Sequence, residues 1–136
     1  MKNLMDMHTH TLASVHAYST LRENAKMAKK QGLKILGTSD HGHMANNSTK
    51  KDFFTNYHVI PKFMEGVRIL KGIELNIGDV NGSILEEELI VWKKKYEEAF
   101  DYTIASIHGD SYVKARGDLE NPQAYLHVLA TPPATP

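Results

Sequence analysis

Cysteine is absent from this 136-residue chain. Disulfides and thiolate metal sites are therefore excluded, and any metal must rest on histidine and carboxylate. Net charge is absent as well: Lys plus Arg and Asp plus Glu each number 16. A balanced chain offers no electrostatic footprint for nucleic acid or an anionic membrane. No apolar run approaches the length that spans a bilayer, and no signal-peptide pattern is visible. These absences lead to the expectation of a cytoplasmic protein with neither nucleic-acid nor membrane partners. The remainder is ordinary, with 41% apolar and 24% charged residues, the composition of a single globular domain.

What the chain has in plenty is histidine. There are eight, and five fall within the first 43 positions. Their placement relative to the expected elements matters more than their number. Residues 4–7 read as a first strand running straight into His8-Thr9-His10. Thr20 with Glu23 forms a capping box. Leu21, Ala25 and Ala28 share one helical face, and Gly32 is placed to close that helix. Residues 33–38 (LKILGT) read as a buried second strand that empties into Ser39-Asp40-His41. Residues 45–51 are polar and loop-like. Residues 53–64 are aromatic-rich and partly helical, interrupted at Pro61. Residues 67–76 (VRILKGIELN) read as a third strand bearing Glu74, and residues 78–82 (GDVNG) as a turn or hairpin. An amphipathic helix is expected over 85–100, then a fourth strand over 102–107 (YTIASI) that delivers His108. Asn121-Pro122 opens a last helix over 123–129. The low-complexity tail 130–136 follows. Alternating strands and helices argue for an α/β fold of parallel βα units.

The ends of four successive strands thus carry His8 and His10, Asp40 and His41, Glu74, and His108. Parallel α/β folds bind ligands at the carboxyl ends of their strands. Each residue alone has a plain explanation. His-x-His is a weak pattern, Asp often caps a loop, and a single histidine often sits satisfied in a core. A buried, unpaired Glu74 is costly, however, and needs a partner. Residues i and i+2 of a strand share a face, so His8 and His10 can serve one metal. Imidazole plus carboxylate suits zinc, manganese or iron. A shared carboxylate can bridge two ions, which clamp a phosphate and activate water. His16 is placed to reach a third ion or the phosphate. Tyr18 and Ser19 precede the first helix, where an anion could bind, though loop and cap explain them equally well. His43 and His127 read as solvated or structural, and His58 is left open.

The strings MDMHTHTLASVHAYST, LGTSDHG, ILKGIELNI and DYTIASIHGD resemble the PHP domain, the polymerase and histidinol phosphatase superfamily. The resemblance implies a distorted seven-stranded (β/α) TIM-like barrel, with residues 4–129 as its N-terminal part. It also implies up to three divalent ions, usually zinc, and hydrolysis of small phosphate monoesters. By this resemblance His8 and His10 bind one metal and Glu74 bridges to a second, which His108 also binds. His16 and His41 bind the third. Asp40 supports His41, so the catalytic assignments fall on Asp40 and Glu74. The family supplies three more ligands: a His in a His-Pro-Gly motif, then an Asp and a His. Nothing in this sequence matches them. The expectation is therefore a truncated chain with reduced or absent phosphatase activity, and a homo-oligomer is one way to close an open half-barrel. Two other readings stay open. One is a metal-binding module without catalysis. The other is an amidohydrolase or TatD-type nuclease, which also begins with His-x-His.

Overall fold

The structure is a computed structural model and describes residues 4–44, 49–79, 81–86 and 100–108. Strand β1 is Met5–Thr9, helix α1 is Leu21–Gln31, and strand β2 is Ile35–Thr38. A 3₁₀ helix, Lys51–Val59, follows. Strands β3 (Phe63–Met64), β4 (Val67–Asn76) and β5 (Tyr102–Ser106) complete the described elements. β1, β2 and β4 lie side by side and parallel, and β5 pairs in parallel with β4. The helix expected over 123–129, most of that over 85–100, and the tail 130–136 lie outside the described residues.

Helix α1 forms where the sequence signals it. The Thr20 hydroxyl accepts from the Glu23 N–H at 3.2 Å, and Glu23 Oε2 accepts from the Thr20 N–H at 2.8 Å. At the far end Gly32 takes φ 79°. Its N–H and that of Leu33 donate to the carbonyls of Lys29 and Ala28, the Schellman closure that favours glycine. The helix buries Ala25 and Ala28 against Leu36, Val67 and Ile69. Alanine's small side chain lets the helix lie close on the sheet.

The segment expected to be partly helical over 53–64 divides in two. Phe54 and Tyr57 of the 3₁₀ helix pack on Ile73, Leu75 and Phe100. Past Pro61 the chain turns back as β3, antiparallel to β4. The connection is Glu65-Gly66, with φ 55° and 84°, the positive pair that a two-residue hairpin needs. The GDVNG turn carries an isolated antiparallel bridge, Ile77 to Ile84.

Alternation along β4 separates two faces. Val67, Ile69, Ile73 and Leu75 feed the two apolar clusters. Gly72, Glu74 and Asn76 occupy the other face and are also buried. That inner face is strongly curled. Tyr102 on β5 donates its hydroxyl to the Met7 carbonyl on β1 at 2.6 Å. Three strand spacings separate those strands, roughly 14 Å in a flat sheet, more than twice a tyrosine's reach. The ring passes directly over Gly37 and Gly72, where any Cβ would collide with it. The sheet is therefore curved as the N-terminal half of a (β/α) barrel would be.

Candidate metal centre

The inner face gathers five histidines around one carboxylate. Glu74 Oε2 lies 3.1 Å from His8 Nε2, 3.3 Å from His10 Nε2 and 3.1 Å from His41 Nδ1. Its other oxygen, Oε1, lies 3.4 Å from His108 Nε2. His16 Nε2 faces His41 Nε2 at 3.1 Å. Three overlapping triads could each hold a cation: His8, His10 and Glu74; His41, Glu74 and His108; and His10, His16 and His41. The structure thus brings together all six residues assigned as ligands from sequence.

Each arrives for a local reason. β1 carries a bulge between Asp6 and Thr9. The displaced His8 N–H donates to Asp6 Oδ1 at 3.1 Å. A bulge re-aims side chains beside it, and here it contains His8 and lies just before His10. His41 extends β2 and bridges in parallel to Glu74. The Glu74 N–H donates to the Asp40 carbonyl, and the Gly42 N–H to the Glu74 carbonyl. His10 is tied to α1, because Asn24 donates its side-chain amide to the His10 carbonyl at 2.9 Å.

Asp40 is fully buried and is not among the residues whose ligand atoms converge. Its oxygens accept from the Thr11 N–H at 2.7 Å, the Thr11 hydroxyl at 2.8 Å and the Ser14 hydroxyl at 2.8 Å. These hydrogen bonds position Thr11 and Ser14 behind the histidines. Ser14 in turn accepts from the His41 N–H at 3.0 Å and meets His10 Nδ1 at 3.3 Å. Tyr18 is 95% exposed, and Ser19 lends its carbonyl to the Leu12 N–H. The start of α1 is already occupied by Glu23, whose carboxylate takes the Thr20 N–H and hydroxyl. An anion there would meet a carboxylate already in place. His58 lies on the 3₁₀ helix, exposed, with Nδ1 on the Thr55 carbonyl, and takes no part in the cluster.

The protonation pattern suits a cation. Ser14 has one hydrogen, and it goes to Asp40, so His10 Nδ1 must donate to Ser14. That leaves a lone pair on His10 Nε2, aimed at Glu74. His108 Nδ1 lies 2.7 Å from Asn76 Oδ1 and donates to it, which leaves its Nε2 lone pair facing Glu74 too. His41 Nδ1 is buried beside the carboxylate without a hydrogen bond of acceptable geometry. Lone pairs converging on an anion repel unless something positive lies among them. At His10 and His41 burial works against a proton filling that role. Burial lowers His10, against the pull of Glu74, and lowers His41 to about 4. Burial would raise Glu74, but hydrogen bonds from Ser106 and His8 and the attraction of His41 leave it below the ordinary carboxylate value. Imidazole nitrogens gathered around a carboxylate are the donor set that zinc-type ions accept.

Sequence reasoning passed over Asp6, Thr11, Ser14, Asn76 and Glu86. Asn76 had a signal, since it lies two residues beyond Glu74 on one strand and shares its face. Glu86 had none.

A curled, mainly parallel sheet with a His/Glu cluster at the carboxyl ends of its strands defines a half-barrel protein whose side chains could hold a metal. Residues 6–131 match the PHP domain, and the chain belongs to that family. It is similar to a "probable phosphatase" of Clostridium novyi, 40% identical over 133 residues, which cover 97% of this chain and 51% of the relative. A "probable phosphatase" of a Thermoanaerobacter species shows the same identity and coverage. One from Aeromonas hydrophila is 40% identical over 108 residues, 79% of this chain and 42% of that protein. The chain thus spans about half the length of the curated relatives it matches.

Proposed function

We propose that this chain carries the metal site of a phosphatase that hydrolyses small phosphate monoesters. The observation that carries the reading is Glu74, whose two oxygens face different histidines, two of which, His10 and His108, turn lone pairs toward it. His8 and His10 would hold one ion, His108 and His41 a second, and Glu74 would stand between them. His16 with His10 and His41 would serve a third. Zinc, manganese or iron bound there supplies positive charge for a phosphate and lowers the pKa of water. The chain's own residues orient the ligands: Ser14 fixes His10, Asn76 fixes His108, and Asp40 holds the loop that bears Ser14. A chain without net charge favours a small phosphorylated substrate over a nuclease's polyanion.

The test pairs metal analysis with phosphate release from p-nitrophenyl phosphate, using the purified chain with zinc or manganese. The expected result is bound metal and slow turnover, both lost in Glu74→Gln. A wild-type chain that takes up no divalent ion would overturn the reading. Metal without turnover would favour the second reading, a metal-binding module, which the half-length match to the relatives also supports.

A further inference from the structure

Behind His108 runs a buried polar relay that neither the family match nor the ligand set accounts for. Asn76 and Glu86 are both fully buried. The Glu86 carboxylate accepts from the Asn76 N–H at 2.8 Å, the Met44 N–H at 3.2 Å and the Asn76 side-chain amide. A side-chain amide can present either its oxygen or its nitrogen toward a neighbour. Here the carboxylate claims the nitrogen, so the oxygen must face His108. His108 answers by placing its hydrogen on Nδ1, 2.7 Å from that oxygen. Its Nε2 is then bare and points at Glu74 Oε1.

The fold makes room for this carboxylate at some cost in side chains. A Cβ on Gly42 would lie 2.6 Å from Glu86 Oε1 and 2.7 Å from its carboxyl carbon. Gly42 follows His41 directly, so the strand end that delivers one histidine also leaves space for the group behind another. The Gly42 φ is not in the positive range. Steric room, not backbone freedom, is what glycine provides there.

We propose that Glu86 is a positioning residue: through Asn76 it locks His108 in the Nδ1–H tautomer and so readies Nε2 as a metal ligand. Partners of this kind orient ligating histidines in metal sites, and their loss typically weakens metal binding by about 10- to 100-fold. Only the zinc half of the test rests on the proposed metal site; the tautomer half does not.

The measurement is the nitrogen chemical-shift pattern of the His108 imidazole in the metal-free full chain, read by long-range proton–nitrogen correlation. Wild type should show a protonated Nδ1 and a bare Nε2. In Glu86→Gln one amide oxygen must serve donors that a carboxylate served together, so Asn76 is released and His108 should show mixed tautomers. Gly42→Ala, which displaces the carboxylate without replacing it, should do the same. Competition against a zinc chelator should show weaker binding in both variants by about 10- to 100-fold. A role confined to stability would lower the unfolding midpoint and leave the tautomer unchanged. Wild-type His108 protonated on Nε2 would overturn the proposal even if neither variant folds. So would variants that keep the Nδ1–H form and full zinc affinity. A wild-type chain that binds no zinc, yet shows the tautomer change on substitution, would refute the metal reading and leave the relay standing.

Discussion

Ser14 has one hydrogen to give and two lone pairs with which to receive, and all three are committed. Asp40 takes the hydrogen, while His41 and His10 use the lone pairs. Ser14→Ala removes only the hydroxyl, but it strands a buried backbone N–H and an imidazole N–H. An abandoned buried donor costs about 1–3 kcal/mol. The expected outcome is a loss of that order in urea unfolding, together with weaker zinc binding because His10 is free to turn. Unchanged stability and affinity would show that water replaces the hydroxyl without loss. At this scale the charged and metal-seeking residues were legible, because His8, His10, His41, Glu74 and His108 each end a strand. Ser14 and Thr11 were not. Small hydroxyl residues between histidines read as loop composition, and only the fold shows that Asp40, 26 residues beyond Ser14, waits for them.

Among the elements, α1 was readable at both ends because its signals are local. Thr20, Glu23 and Gly32 act within one turn of the chain they cap. β3 was not readable. It is two residues long, too short for any periodicity, and its turn is Glu-Gly, not the Asn-Gly or Asp-Gly pair that marks such hairpins. The bulge in β1 was hidden for a related reason, since it exists only relative to β2. The capping box carries a pH prediction. The hydrogen bonds that Thr20 gives to Glu23 hold its carboxyl below the ordinary 4.5. A carboxyl lowered on folding stabilises fully above its unfolded value, and that contribution fades as pH falls through the folded value. The Thr20 amide should therefore lose protection from hydrogen exchange only in acid below about 4.5, in step with the Glu23 titration. Protection that persists unchanged after Glu23 has titrated would refute the reciprocal box.

For the whole molecule, the alternation of strands and helices foretold a parallel sheet, and the strand-end rule foretold at which end the His/Glu cluster would gather. The degree of curl was not legible, because it depends on Tyr102 lying across Gly37 and Gly72, a fit among three distant strands. That tyrosine has a consequence in time as well as in space. It joins positions 95 residues apart, and Glu74 stands 66 residues beyond His8. Closing such long loops is entropically costly and comes late in folding, whereas a capped helix forms early. The first strand's histidines, although made first, must wait for nearly the last described strand before they share a ligand sphere. In refolding of the full chain, far-ultraviolet circular dichroism should therefore develop before zinc is withdrawn from a coloured chelator, and simultaneous signals would contradict this order. A growing polypeptide of this kind carries its first histidines exposed and uncommitted until the strand bearing Glu74 is made, and they are gathered about one carboxylate only when the sheet rolls shut.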